Sequence, residues 1–304
     1  MRLGVLVLPE FRWPEAHAIF ERVEELGVDH VWTYDHLAWR TLRDGPWFGA
    51  VPFLTAASLA TTHVRLGTLV ASPNFRHPMP FARELLTLDD VSNGRLVLGV
   101  GAGGVGWDAV MLGNEPWTPA ERSARFVEFV TLLDRLLTHE KVSFRGHYYS
   151  VVEGRTAPGC VQRPRIPFAV AATGPTGMRL AAQMGQTWVT TGDLSPEGSL
   201  LGAAGGAQVV TEQMERLDAA CEAVGRDPVT LGRLVLSGPR LDPGLSSRDA
   251  FEDTVGRYEA AGVTDLVVHW PRPAEPYAGD RVVFEDAVGS LVAARRTPHA
   301  ARDT

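Results

Sequence analysis

Short apolar runs recur along the chain, each bounded by polar turns and separated from the next by a segment with helical spacing. Eight of these runs predict β-strands, because they are rich in Val and Leu and lack strict alternation, as in strands covered on both faces. The predicted strands are residues 3–8, 30–34, 64–70, 95–101, 167–171, 187–191, 231–236 and 264–269. Helical patterns between them indicate a parallel sheet, so the expected fold is α/β, a (β/α)8 TIM barrel.

Three junctions between a helical pattern and the following strand share one arrangement of residues. A glycine ends the helix and a polar turn leads into the apolar run, at Gly27, Gly185 and Gly262. This arrangement predicts glycines in the left-handed conformation at the helix ends. Thr118 and Glu121 form the pattern of a capping box, which predicts that a helix begins there.

Two parts of the chain are longer than a simple barrel requires. Residues 102–166 separate the fourth and fifth strands and contain a predicted hairpin around residues 142–152; a second insertion is expected around the seventh strand. Residues 195–206, rich in Gly, Ala and Ser, are expected to form a mobile loop. We expect one barrel domain over residues 1–296 and a disordered tail over residues 297–304.

Composition narrows the range of partners. Apolar residues make up 45% of the chain and charged residues 21%, which is typical of a soluble globular protein. The net charge of -7 is not offset by a basic cluster, so neither nucleic acid nor an anionic membrane surface is an expected partner. The first residues do not have the pattern of a secretory leader, so we expect none, and no apolar stretch is long enough for a bilayer. A small-molecule substrate and a cytoplasmic location are therefore expected.

Polar residues that follow barrel strands are candidates for chemistry, because the carboxyl ends of the strands form the active-site face. Asp35 and His36 come directly after the second strand. The imidazole could donate or accept a proton near a redox ring, with Asp35 orienting it or touching a cofactor. For an Asp-His pair taken alone, the favoured interpretation is that it caps the next segment of the loop.

Two glycine-rich segments follow other strands. Residues 101–106 would let a ligand approach the backbone, but their spacing matches neither a P-loop nor a Rossmann fingerprint. Residues 173–177 enter a helix whose free N–H groups could bind a phosphate, although an ordinary helix start would have the same pattern. Thr190 and Thr191 follow the neighbouring strand and add hydroxyl donors. Together these segments favour a phosphorylated cofactor.

The order and spacing of several motifs resemble those of the luciferase-like monooxygenase superfamily over nearly the whole chain. The motifs are Asp35-His36, residues 66–70 with 76–78, residues 93–103 and residues 163–167. Residues 173–177 and 188–192 most resemble the members that use the deazaflavin coenzyme F420.

The resemblance assigns roles to individual residues. It implies a cofactor phosphate held by Thr173, Gly174, Thr176 and Gly177. It implies a path for the cofactor lined by Asp35, Ser72, Ala102 and Gly103. A cis peptide between Leu69 and Val70 would lie against the back of the ring, and His36 would donate a proton or stabilise charge beside it.

The expected function is an F420-dependent oxidoreductase that transfers a hydride between the deazaflavin and an organic substrate. The alternative is an FMN-dependent monooxygenase that uses reduced flavin and oxygen, with the cofactor reduced by a separate reductase or dehydrogenase. A third hypothesis is a cofactor-binding protein without catalysis. Gly104 and Leu194 depart from the F420-dependent sugar-phosphate dehydrogenases, which carry an acid and a lysine there, so that activity is disfavoured. The resemblance also implies a homodimer.

Overall fold

Eight parallel strands form a closed barrel in the computed structural model, which describes residues 1–193 and 198–296. The ring order is β1-β10-β9-β8-β7-β4-β3-β2, while β5 and β6 pair separately as an antiparallel hairpin. All eight predicted barrel strands are present, with bounds within two residues of the prediction. The strands are β1 (Arg2–Leu6), β2 (His30–Thr33), β3 (Arg65–Ala71), β4 (Leu96–Gly101), β5 (Lys141–Arg145), β6 (Ser150–Arg155), β7 (Phe168–Ala171), β8 (Thr187–Thr190), β9 (Gly232–Leu236) and β10 (Asp265–His269).

Helices connect successive barrel strands and pack on the outside of the ring. They are α1 (Trp13–Glu25), α2 (Ala50–Ala60), α3 (Pro78–Val91), α4 (Pro119–Thr138), α5 (Pro175–Met184), α6 (Ala203–Glu222), α7 (Arg248–Ala260) and α8 (Arg281–Arg296). The predicted capping box at the start of α4 is confirmed, because Thr118 and Glu121 each accept a hydrogen bond from the other's backbone N–H. None of the described helices is both long and apolar enough to span a bilayer.

The apolar strand residues divide between two layers. Leu6, Leu8, Trp32, Leu234 and Val267 pack together inside the barrel. Their sequence neighbours on the opposite strand faces pack against the surrounding helices, as Val5 and Val7 do. Because both faces of each strand are buried, the strands are nearly continuous apolar runs, which is the pattern that made them recognisable.

The amino ends of the strands are joined by a buried polar group. Asp265 accepts hydrogen bonds from Arg2 at 2.8 Å and contacts His30 Nε2 at 3.0 Å. Burial alone would raise the pKa of Asp265, but the hydrogen bonds from His30 and Arg2 outweigh it and lower the pKa to about 2. This charged group lies at the opposite end of the barrel from the second-strand pair Asp35-His36, and we assign it a structural role.

One of the three glycines predicted to end helices in the left-handed conformation requires correction. Gly27 and Gly262 end their helices with φ of +78° and +92°, as predicted, but Gly185 has φ of -79°. A Cβ atom at Gly185 would lie 2.8 Å from the Ala181 carbonyl oxygen. Glycine is therefore required there by a close approach of the backbone rather than by a left-handed turn.

The predicted mobile loop over residues 195–206 is wrong at its end, because helix α6 begins at Ala203. Within this helix Gly206 allows close packing, because a Cβ atom at this buried position would lie 2.5 Å from the Tyr258 hydroxyl. Residues 195–197 and the predicted tail at 297–304 lie outside the described residues. The predicted hairpin is present as β5 and β6.

Candidate active site

A cleft of about 460 Å³ opens at the carboxyl ends of the barrel strands. Its inner wall is formed by residues at or just beyond six different strand ends: Tyr34, Leu69, Ala102, Ala171, Thr190 and Leu236. His36 and Gly174, predicted to mark the reactive and phosphate ends of a bound cofactor, both line this cleft. The structure therefore brings together the two segments that the sequence could only place on the same face.

The floor of the cleft is an irregular part of β3. Its pairing with β4 shifts register between Thr68 and Ala71, and the Leu69–Val70 peptide is cis, as the resemblance implied. Leu69 and Val70 both line the cleft. β4 accommodates this bend with Gly99, where a Cβ atom would lie only 1.9 Å from the Thr68 carbonyl oxygen. A side chain at this position would push β3 out of place.

The amino end of α5 forms one border of the cleft. Gly174 precedes the helix without a side-chain cap, and Pro175 takes the first helical position. The N–H groups of Thr176 and Gly177 therefore lack intrahelical acceptors. The space around a Cβ atom at Gly174 is empty within 4 Å among the described residues. Open N–H groups at the positive end of a helix dipole, beside the exposed Thr173 hydroxyl, suit a phosphate group.

Thr190 and Thr191 extend this border from the neighbouring strand. The Thr190 hydroxyl is already committed, since it donates to Gln213 Oε1 at 2.5 Å and accepts from the Gly192 N–H at 2.9 Å. Thr191 is partly exposed and lines the cleft. Of the two hydroxyls, that of Thr191 is the one available to a ligand.

His36 is oriented by a carboxylate that the sequence reasoning missed. Its Nδ1 hydrogen-bonds Asp108, whose other oxygen accepts the Leu37 N–H at 2.7 Å and the Ala38 N–H at 3.3 Å. Asp108 is only 4% exposed and lies directly beyond the glycine run that follows β4. With Nδ1 held in this way, Nε2 is the ring nitrogen left to meet a substrate. The sequence did contain a signal for this contact, since Asp108 is an acidic residue in the loop after the fourth strand, on the active-site face of the barrel.

Asp35 does not orient His36. Its carboxylate is buried and receives two hydrogen bonds from Arg76, at 2.5 and 2.8 Å. Burial lowers the pKa of Arg76, but the contacts with Asp35 and Glu84 outweigh it and raise the pKa. Asp35 therefore fixes the segment beyond β3, and it is not among the residues that line the cleft. Contact between Asp35 and a cofactor stays a prediction.

Ser72 and Gly103 also lie beside the cleft rather than in its wall. Ser72 is buried, and its Oγ has no hydrogen-bond partner in the part of the chain that the structure describes. Contact between Ser72 and a cofactor stays a prediction. Gly103 has φ of +75°, and a Cβ atom there would lie 2.7 Å from Asn74 Oδ1.

A cluster of aromatic residues that the sequence did not suggest separates the cleft from the region beyond it. The Tyr34 hydroxyl lies 2.8 Å from His269 Nε2 and 3.1 Å from the Tyr277 hydroxyl. His269 and Tyr277 stack with ring centroids 3.5 Å apart. Burial lowers the pKa of His269 to about 3 and raises the pKa of Tyr34, so the cluster is uncharged near neutral pH.

A model of the luciferase-like monooxygenase family matches residues 1–238. The chain belongs to this family. The family assignment agrees with the resemblance found in the sequence motifs.

Relatives of this luciferase-like protein include several F420-dependent enzymes. An F420-dependent glucose-6-phosphate dehydrogenase from Amycolatopsis mediterranei is 36% identical over 177 residues, which is 56% of this chain and 51% of the relative. An F420-dependent hydroxymycolic acid dehydrogenase from Mycobacterium tuberculosis is 31% identical over 238 residues, 75% of this chain and 59% of the relative. The chain spans about half the length of the first of these curated relatives.

Solved structures show the same fold. The structure of an F420-dependent secondary alcohol dehydrogenase in complex with an F420-acetone adduct superposes with a TM-score of 0.80, covering 97% of this chain and 99% of that one at 18% identity. An F420-dependent tetrahydromethanopterin reductase from Methanopyrus kandleri gives a TM-score of 0.72 at 16% identity, covering 96% and 97% of the two chains. At these identities the likeness establishes the barrel alone.

Proposed function

We propose that the protein is an F420-dependent oxidoreductase that transfers a hydride between the deazaflavin and an organic substrate. The observation that carries the proposal is that a carboxylate-held histidine and an uncapped helix amino end border one cleft. The first supplies a proton-transfer group, and the second supplies a seat for a phosphate-bearing cofactor. The F420-dependent activities of the curated relatives support F420 over FMN as that cofactor.

The residues of the cleft fit the parts of such a cofactor. Thr173, Gly174, Thr176 and Gly177 would hold its phosphate at the amino end of α5. Leu69 and Val70 would support the ring from the floor of the cleft. When bound, F420 supplies a carbon that gives or takes a hydride, and the protein supplies orientation and electrostatics.

His36 performs the proton transfer that accompanies movement of a hydride to or from a carbon bearing oxygen. In the direction of alcohol oxidation, Nε2 accepts the hydroxyl proton, and the Asp108 carboxylate stabilises the resulting imidazolium through Nδ1. In the reverse direction the imidazolium returns the proton to the forming hydroxyl. The hydrogen bonds from the Leu37 and Ala38 N–H groups hold Asp108 in place through both steps.

We propose that the substrate is not a sugar phosphate. Gly104 and Leu194 take the places of the acid and the lysine that F420-dependent sugar-phosphate dehydrogenases carry; Leu194 lies outside the described residues. A homodimer, a cytoplasmic location and a separate enzyme that recycles the cofactor stay predictions.

Gly174 offers a direct test of the cofactor seat. Aspartate is a favoured residue before a helix and the position has free space, so Gly174→Asp should keep or raise the melting temperature. The aspartate carboxylate would occupy the place of the phosphate and repel its negative charge. The dissociation constant for F420 should therefore rise at least about tenfold. Fluorescence titration of the full chain measures this constant.

The matched control is Gly174→Ala, which adds a Cβ atom into the same free space without charge. It should leave the F420 dissociation constant within about twofold of the wild-type value. Equal F420 affinity in Gly174→Asp and Gly174→Ala would remove the amino end of α5 from the proposed cofactor site.

A further inference from the structure

A second cavity, of about 350 Å³, adjoins the cleft beyond the aromatic cluster. The two cavities share Arg40 and Pro239 in their walls. A volume of this size lies in the lower part of the range of small-molecule sites, about 300–1,000 Å³. We call it the side cavity. Much of its lining is apolar and comes from the segments after β9 and β10 and from α8: Pro243, Leu245, Pro271, Pro276 and Phe284.

Arg40 stands at the junction of the two cavities without a counter-ion. Arg40 is exposed, its guanidinium has no hydrogen bond or ion pair with any described residue, and it lies 4.9 Å from the centre of the Trp39 ring. Its charge also acts on the hydroxyls of Tyr34 and Tyr277, where it partly offsets the rise in pKa that burial causes. Arg240 on the same rim is instead paired with Asp193 at 3.1 Å. An arginine left uncompensated between two cavities is available to an anionic group of a ligand.

The backbone around this junction is unusual. Arg40 has φ of +45° and Tyr277 has φ of +68°, in the left-handed region that residues with side chains seldom adopt. Such conformations cluster at sites where a side chain must be placed for function. Tyr277 also connects the cavities, because it lines the side cavity and hydrogen-bonds Tyr34, which lines the cleft.

The charges around the side cavity place the anionic group of a ligand at the junction and not deeper inside. His269 is neutral near physiological pH because burial lowers its pKa to about 3, so it offers no positive charge. Glu275 lies exposed at the side cavity and would repel an anion there. Arg40 is then the only cation among the described residues that line this cavity.

We propose that the side cavity is a substrate subsite for the apolar part of a carboxylic acid, and that Arg40 binds its carboxylate at the junction. The proposal rests on the function proposed above and narrows its substrate class. The carbon that exchanges the hydride lies on the cleft side, near His36, while the apolar body enters the side cavity. A sugar phosphate has no apolar part that would fill the side cavity. A simple alcohol has no anionic group that Arg40 would bind.

Calorimetric titration of the cofactor-free full chain with octanoate tests the subsite without relying on turnover. Arg40→Gln removes the cation and Leu245→Trp fills the side cavity, and each should raise the octanoate dissociation constant at least about tenfold. Arg240→Gln and Leu59→Trp are the matched controls, since Arg240 already has a partner and Leu59 is exposed. Both should bind octanoate as the wild type does. Octan-1-ol and glucose 6-phosphate should bind more weakly than octanoate.

Failure of this inference is distinguishable from failure of the proposed function when F420 affinity is measured in parallel. Absence of octanoate binding, or binding that neither Arg40→Gln nor Leu245→Trp weakens, overturns the subsite even if F420 binds normally. Octan-1-ol binding as tight as that of octanoate overturns the role of Arg40. A loss of F420 affinity in Arg40→Gln as large as the loss of octanoate affinity would assign Arg40 to the cofactor and also overturn the proposal.

Discussion

Replacement of His36 by alanine is expected to lower turnover by about 10²–10⁴-fold, the range in which a general acid–base group contributes. His36 follows β2 and the phosphate seat follows β7, with β3 and β4 between these strands in the ring, so the F420 dissociation constant should change by less than about twofold. Steady-state kinetics and an F420 titration of the same preparation measure the two quantities. His17→Ala, on the outer helix α1, is the matched control and should retain full turnover.

Asp108→Asn tests the same assignment through the partner of His36. The backbone N–H groups of Leu37 and Ala38 hold one side-chain oxygen of Asp108. The amide group of asparagine would therefore face Nδ1 and favour the tautomer whose Nε2 carries the proton. Turnover should fall at least about tenfold while F420 affinity is kept. If both His36→Ala and Asp108→Asn turn over at the wild-type rate, the assignment of proton transfer to His36 and Asp108 is wrong.

Gly99→Ala is expected to give the largest loss of stability, about 3 kcal/mol or more in the free energy of unfolding. The added methyl group would lie 1.9 Å from the Thr68 carbonyl oxygen, and that atom belongs to a neighbouring backbone which cannot rotate away. Since Thr68 precedes the residues of the cleft floor, F420 affinity should fall as well. Urea unfolding followed by circular dichroism measures the stability.

Gly104→Ala is the control for this effect on the same segment. Its nearest neighbour would be 3.9 Å from the new methyl group, and its φ is not positive. Its unfolding free energy should stay within about 0.5 kcal/mol of the wild-type value. Similar unfolding curves for Gly99→Ala and Gly104→Ala would show that β3 and β4 do not approach as closely as described.

The barrel was predictable because its signals are local and repeated. Every barrel strand is buried on both faces, so each appears in the sequence as an apolar run without alternation. The start of α4 was predictable from Thr118 and Glu121, which contact each other within one helical turn. By contrast, Gly206 in the first turn of α6 was assigned to a flexible loop, because the sequence does not show the Tyr258 hydroxyl against which it packs.

The candidate site was predictable only in part, because contacts between residues far apart in the chain leave no local pattern. His36 and residues 173–177 follow strand ends, and the barrel geometry itself places them on one face. Asp108 reaches His36 from 72 positions along the chain, so no local pattern joins them. The stacking of Tyr277 on His269 likewise depends on the path of the chain after β10. Sequence order identified which strands contribute to the site but not which side chains meet there.

The central claim is that the cleft binds a deazaflavin with its phosphate at α5 and its reactive face near His36. Titration of the full chain with oxidised F420 and, separately, with FMN, followed by quenching of tryptophan fluorescence, tests it most directly. We expect F420 to bind at least about tenfold more tightly than FMN, a difference of about 1.4 kcal/mol. Tight binding of FMN together with weak or absent binding of F420 would contradict the claim.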